Sequence, residues 1–150
     1  MTKHLPREYL MATERVLREF PAKIEELHNL GRYIEDRFHS VNPEVEPSGL
    51  SVRSVSSPQE KILEAKENDR HYLWLYQYVE TVRQALSVLN EDEQALVDCL
   101  YWQNMTILEA SYELSVDKRT IFRTKKRAAV KIACRLLPSF VEDAKNCHLR

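Results

Sequence analysis

The sequence predicts an all-α protein. Three observations predict it. Only two of 150 residues are glycine. Apolar residues recur at alternating spacings of three and four over long stretches, the period of a helix rather than a strand. Capping residues stand just ahead of several of those stretches.

The first helical region covers residues 1–39. Leu10, Thr13, Leu17, Phe20, Ile24, Leu27, Gly31, Ile34 and Phe38 form an unslipped heptad seam. Pro21 interrupts it, because proline has no N–H and its ring crowds the preceding turn. A kink in one helix and the start of a second helix at Pro21 both fit.

Residues 40–57 read as a linker, with Pro43, Pro47, Gly49 and six serines and no apolar period. Ser57-Pro58-Gln59-Glu60 then reads as a helix start. The expected result is one long assembly helix over 58–89. Its seam is Tyr72, Leu75, Val79, Val82, Leu86 and Leu89, and a second strip is Trp74, Tyr78, Ala85 and Val88. Two apolar strips imply burial on both sides.

Three shorter helices are expected in a module over 90–137, followed by a tail at 138–150. Asn90 with Glu93, and Thr106 with Glu109, have capping-box spacing. Asp117 caps the last helix. Ile107, Ala110, Ser111 and Leu114 form one side of the short middle helix, and small residues there let a neighbour approach. Val116, Ile121, Ala128 and Ile132 form the underside of the last. Two amphipathic helices joined by a tight turn describe a helix-turn-helix.

Composition narrows the function. Lys plus Arg is 22 and Asp plus Glu is 23, for a net charge of −1. That near-neutral total hides a polarised chain: Asp117 to Lys131 holds seven basic residues and one acid. At about 100° per residue, Arg119, Arg123 and Lys126 lie opposite Ile121, with Phe122 and Arg127 on the flanks. Such a helix suits the major groove of DNA, where arginine pairs with guanine and either Thr120 or Phe122 can reach a thymine methyl.

Other chemistries are disfavoured. Gly31 and Gly49 are too far apart for a dinucleotide fingerprint or a phosphate loop. Cys99, Cys134 and Cys147 form no C-x-x-C pair, and Cys99 and Cys134 sit in apolar runs, as reduced buried thiols do. Glu25-x-x-His28 and Asp36-x-x-His39 share one helical stretch, whereas di-iron sites draw such motifs from different helices. His4, His71 and His148 have no ligand spacing. No nucleophile–base set stands out, so neither an enzyme nor a cofactor or metal site is expected. With no leader and no apolar run of spanning length, the expected location is the cytoplasm, with no membrane partner.

The region from Leu89 to Ile132 resembles region four of bacterial sigma factors. Leu89-Asn90-Glu91 with Glu93, Tyr101-Trp102, Met105-Thr106, Glu109, Leu114, Val116, Thr120-Ile121 and Arg127-Ala128 align without a gap. Ser115 stands where the pattern has glycine, and Ser111 where it has alanine. The resemblance implies that Lys118, Arg119, Thr120, Phe122, Arg123, Lys126 and Arg127 face DNA. The whole layout of broken helix, serine- and proline-rich linker, long helix and sigma-like module resembles the RinA/ArpU class. These are phage-encoded late-gene transcription activators of Gram-positive bacteria.

The implied partners are double-stranded promoter DNA, a second copy of the chain and bacterial RNA polymerase. The alternative is a helical adaptor that binds polymerase or another regulator without touching DNA.

Overall fold

The computed structural model describes residues 6–39 and 57–136. The regular structure among them is helical throughout: α1 (Arg7–His39), α2 (Pro58–Asn68), α3 (Arg70–Ser87), α4 (Glu91–Val97), α5 (Ile107–Leu114) and α6 (Lys118–Leu136). A π-helical turn, Asp98–Trp102, extends α4. Most of the expected linker, the expected tail, His4, Cys147 and His148 lie outside the described residues.

α1 is one continuous helix with Pro21 in its interior. Its heptad seam points inward: Thr13, Leu17, Phe20, Gly31 and Ile34 are buried. The expected single helix over 58–89 is instead two, and this is a correction. Asp69 adopts an extended conformation (φ −87°, ψ 109°). Its Oδ1 accepts the backbone N–H of Tyr72 at 2.9 Å, so Asp69 works as the N-cap of α3. A capping side chain in mid-run gave the backbone an alternative to continuing the helix. α3 then ends at Ser87, whose hydroxyl donates to the Gln84 carbonyl at 2.6 Å.

The second strip of α3 also departs from expectation. Ala85 is buried, but Trp74 is 52% exposed and Val88 is exposed as well. The Trp74 ring meets the Tyr78 ring of the same strip at 5.5 Å, and a cation and an imidazole also face it. Lys23 Nζ lies 5.4 Å from its centroid, and His71 stacks on it at 6.4 Å.

The chain forms two compact units. One contains residues 22–39 of α1, α2 and the first part of α3 to Tyr78. Within it Lys66 pairs with Glu35 at 2.7 Å, and Glu26 accepts from Lys23 at 3.2 Å and bonds His71 at 3.1 Å. The hydrogen bond from Lys23, aided by His71, holds the Glu26 carboxyl below its ordinary range. Gly31 faces Tyr72, whose Cε2 would lie 3.6 Å from an added Cβ.

The other unit contains α1 up to Pro21 and the described residues from Val79 onward, and it positions α6. Its core falls into three clusters. Leu96, Cys99, Ala110 and Ile121 join α4 and its π-helical turn to α5 and α6. Leu17, Ala85, Leu89, Val97, Tyr101, Ala128 and Ile132 bring in α1, through Leu17, and α3, through Ala85. Ala129 and Ala133 are covered by Tyr9 and Leu10 of α1. Burial pushes the Cys99 thiol up, which keeps it protonated and inert.

Candidate nucleic-acid interface

The local sequence fixes the ends of each helix around the site. Asn90 and Glu93 form a reciprocal capping box at α4, and Thr106 and Glu109 form another at α5. Asp117 Oδ1 accepts the Thr120 N–H at 3.0 Å and starts α6. Those bonds from Thr120, with the nearby positive charge of Arg123, hold the Asp117 carboxyl below its ordinary range.

Ser115–Asp117 form the short connection between α5 and α6. Ser115 takes a left-handed conformation (φ 54°, ψ 40°), which normally favours glycine. Ser111 secures the turn from both directions. Its carbonyl accepts the Val116 N–H at 3.1 Å, and its hydroxyl donates to the Val116 carbonyl at 2.6 Å. The Ser111 hydroxyl thus adds a bond across the turn that an alanine could not make.

α6 has two contrasting sides. Ile121, Thr124, Ala128, Ala129, Ile132 and Ala133 are buried. Lys118, Arg119, Thr120, Phe122, Arg123, Lys126 and Arg127 are all exposed. None of the five cations in that set makes an ion pair among the described residues. Arg127 bonds the Thr124 hydroxyl at 3.4 Å.

Thr120 and Arg127 lie toward one edge of the exposed side, with Arg127 about 40° from Arg123 around the helix axis. Together with Leu96, Leu114, Val116 and Thr124 they line a cleft of about 170 Å³. The seven predicted residues therefore all lie exposed on one helix, and two of them, Thr120 and Arg127, also border this cleft.

Two of the seven basic residues counted from sequence are engaged inward. Lys125 pairs with Glu14 of α1 at 3.1 Å, and Glu14 also accepts the Tyr101 hydroxyl at 2.9 Å. Lys131 Nζ lies 2.9 Å from each oxygen of Glu93, a buried carboxylate. Helical phase alone places Lys125 about 40° from Ile121, so its inward side was legible; its partner Glu14 was not. On α5, Leu108 and Tyr112 are exposed one turn apart, and Tyr112 reaches 77%.

No cluster of three or more metal-ligating side chains occurs among the described residues, and no described helix is long and apolar enough to cross a membrane. The fold and this site define an all-helical protein that displays a cationic helix face. Residues 28–134 match the model of the family described as a protein of unknown function (DUF722), and the chain belongs to that family. No curated protein and no solved structure matches the chain.

Proposed function

We propose that the chain is a sequence-specific DNA-binding transcriptional regulator. In this reading α5 and α6 are the two helices of a sigma region-four-like helix-turn-helix, and α6 enters the major groove. One observation carries it: the second helix of a tightly turned pair buries one side completely and displays five cations free of ion pairs on the other. Two other lysines of α6, Lys125 and Lys131, pair with carboxylates instead, so the five unpaired cations are a distinct set on this helix.

The resemblance in layout to the RinA/ArpU class supports the narrower reading of a phage or prophage late-gene activator acting at promoter DNA. A single module of this kind buries roughly 600–1,000 Å² on DNA. Promoter selectivity then calls for a second copy of the chain, or for RNA polymerase bound beside it.

The test is duplex DNA binding across a salt series. Neutralising four or five phosphates gives a slope of log K against log salt of about −4. Salt-independent behaviour, or no retention on duplex DNA, favours the adaptor. The exposed Leu108 and Tyr112 of α5 are the observation on that side, since they offer an apolar contact to a protein.

A further inference from the structure

Phe122 is 57% exposed, the large apolar side chain that α6 leaves in water among its described residues. It is surrounded by charge. At about 100° per residue, Lys118 and Lys126 lie about 40° from it around the helix axis, and Arg119 about 60°. Thr120 lies about 120° from Lys126, beside Thr124 and Arg127 at the cleft. Of the two side chains able to meet a thymine methyl, Phe122 is the one flanked by Lys118, Lys126 and Arg119, whereas Thr120 lies at the cleft edge, about 20° from Arg127 and about 60° from Arg123.

A phenyl ring neither donates nor accepts conventional hydrogen bonds, so it cannot read the polar edge of a base pair. In the major groove the apolar group that a base pair displays is the 5-methyl of thymine. The flanking lysines and Arg119 are suited to phosphates and guanine edges, which fix the register without reading that methyl.

We propose that Phe122 is a specificity-determining residue that reads thymine by packing its ring on the 5-methyl group. The inference rests on the DNA-binding reading of α6 and deepens it, because it names one base that the site requires. Cation contacts to phosphate supply general affinity, and Phe122 supplies a preference for thymine over cytosine or uracil at its position.

The experiment begins with the full chain selecting duplexes from a random-sequence duplex library. A recovered duplex is then resynthesised with deoxyuridine in place of thymidine, one position at a time. The pairing edges stay the same and only a methyl group is lost. Wild-type affinity is expected to fall about fourfold at one or two positions, the value of one buried methyl-sized group. Phe122→Ala is expected to bind the thymidine duplex at least fourfold more weakly and to treat both duplexes alike. Phe122→Leu should keep part of the preference. Because the ring is exposed, Phe122→Ala should unfold at the wild-type temperature, which confirms that lost discrimination is not lost structure.

Salt-dependent binding by wild type that ignores the methyl at every position overturns this inference and leaves the DNA-binding reading standing. So does a Phe122→Ala chain that still prefers thymidine, which would assign the ring to a protein partner or an unpaired base. If the library yields no salt-dependent binder at all, the parent reading fails together with it.

Discussion

The indole N–H of Trp102 donates to the carbonyl of Leu17 at 3.0 Å, and that carbonyl is the one Pro21 leaves without its intrahelical donor. In an unbroken helix the N–H of residue 21 would bond residue 17. Proline has none, so α1 carries an open acceptor at Leu17, a buried residue. The π-helical turn presents two consecutive side chains to α1: Trp102 to Leu17, and Tyr101 to Glu14 at 2.9 Å. Phe20 adds a ring contact with Trp102 at 6.1 Å. A residue that reads as a helix breaker thus creates a docking point.

Trp102→Phe should therefore cost about 1–3 kcal/mol, the penalty of stranding a buried acceptor. Pro21→Ala returns an N–H to the helix and should absorb roughly 1 kcal/mol of that penalty. Urea denaturation of the two single variants and the double variant measures the coupling. Additive losses would mean that the indole contributes packing alone.

The two partners of the Glu93–Lys131 pair should respond unequally. Glu93 is buried whereas the Lys131 side chain is partly exposed. Lys131→Met strands a buried carboxylate and should cost about 3–5 kcal/mol. Glu93→Gln keeps an acceptor for the Asn90 N–H and leaves the lysine access to water, so it should cost only about 1–2 kcal/mol. Equal losses in denaturant unfolding would contradict this burial asymmetry.

Much of this fold is legible in the sequence, because local rules and periodicity act within a few residues. The α1 seam, the Asn90–Glu93 and Thr106–Glu109 boxes and the bounds of α5 all follow from spacing. The break at Asp69 falls ahead of the apolar seam, which begins only at Tyr72, so periodicity gave no guide there, although Asn68-Asp69 is itself a capping signal. The inward engagement of Lys125 and Lys131 depends on carboxylates many positions away, which spacing along one helix cannot reveal. The seven candidate DNA-facing residues were legible as one exposed helix face, but the cleft that Thr120 and Arg127 border is built by α4 and the turn before α6.

DNA affinity should divide along the same line between free and engaged cations. Lys126→Ala is expected to lower the magnitude of the salt slope by about 1 and to weaken specific and random duplexes alike. Arg123→Ala should instead lose discrimination between them. Lys125→Ala should leave the slope unchanged, because its ammonium is held by Glu14 at 3.1 Å. A titration series on one duplex reads all three, and a slope change for Lys125→Ala would place that lysine on DNA.

Ser115 holds a conformation that L residues adopt at a cost of roughly 1–2 kcal/mol. Ser115→Gly relieves that strain but adds freedom to the unfolded chain, for a net gain of about 0.5–1 kcal/mol. Ser115→Val should lose more than about 1 kcal/mol, since a β-branched side chain tolerates the left-handed region worst. Thermal unfolding of the two variants should move in opposite directions. Movement in the same direction would mean that the turn relaxes away from its left-handed form.

Alkaline pH should act on the unit that holds α6 through Tyr101. Burial raises its hydroxyl pKa well above the ordinary value of about 10, and the charge and hydrogen bond of Glu14 raise it further. The folded chain therefore keeps the proton where the unfolded chain releases it. The stabilisation is complete below about pH 10 and is lost progressively as the pH rises beyond it. Denaturation midpoints between about pH 8 and pH 11 should fall steeply in the wild type at the upper end. Tyr101→Phe should start lower by about 1 kcal/mol, having lost the bond to Glu14, and should fall less steeply. Parallel profiles for the two chains would show that another group governs the alkaline limit.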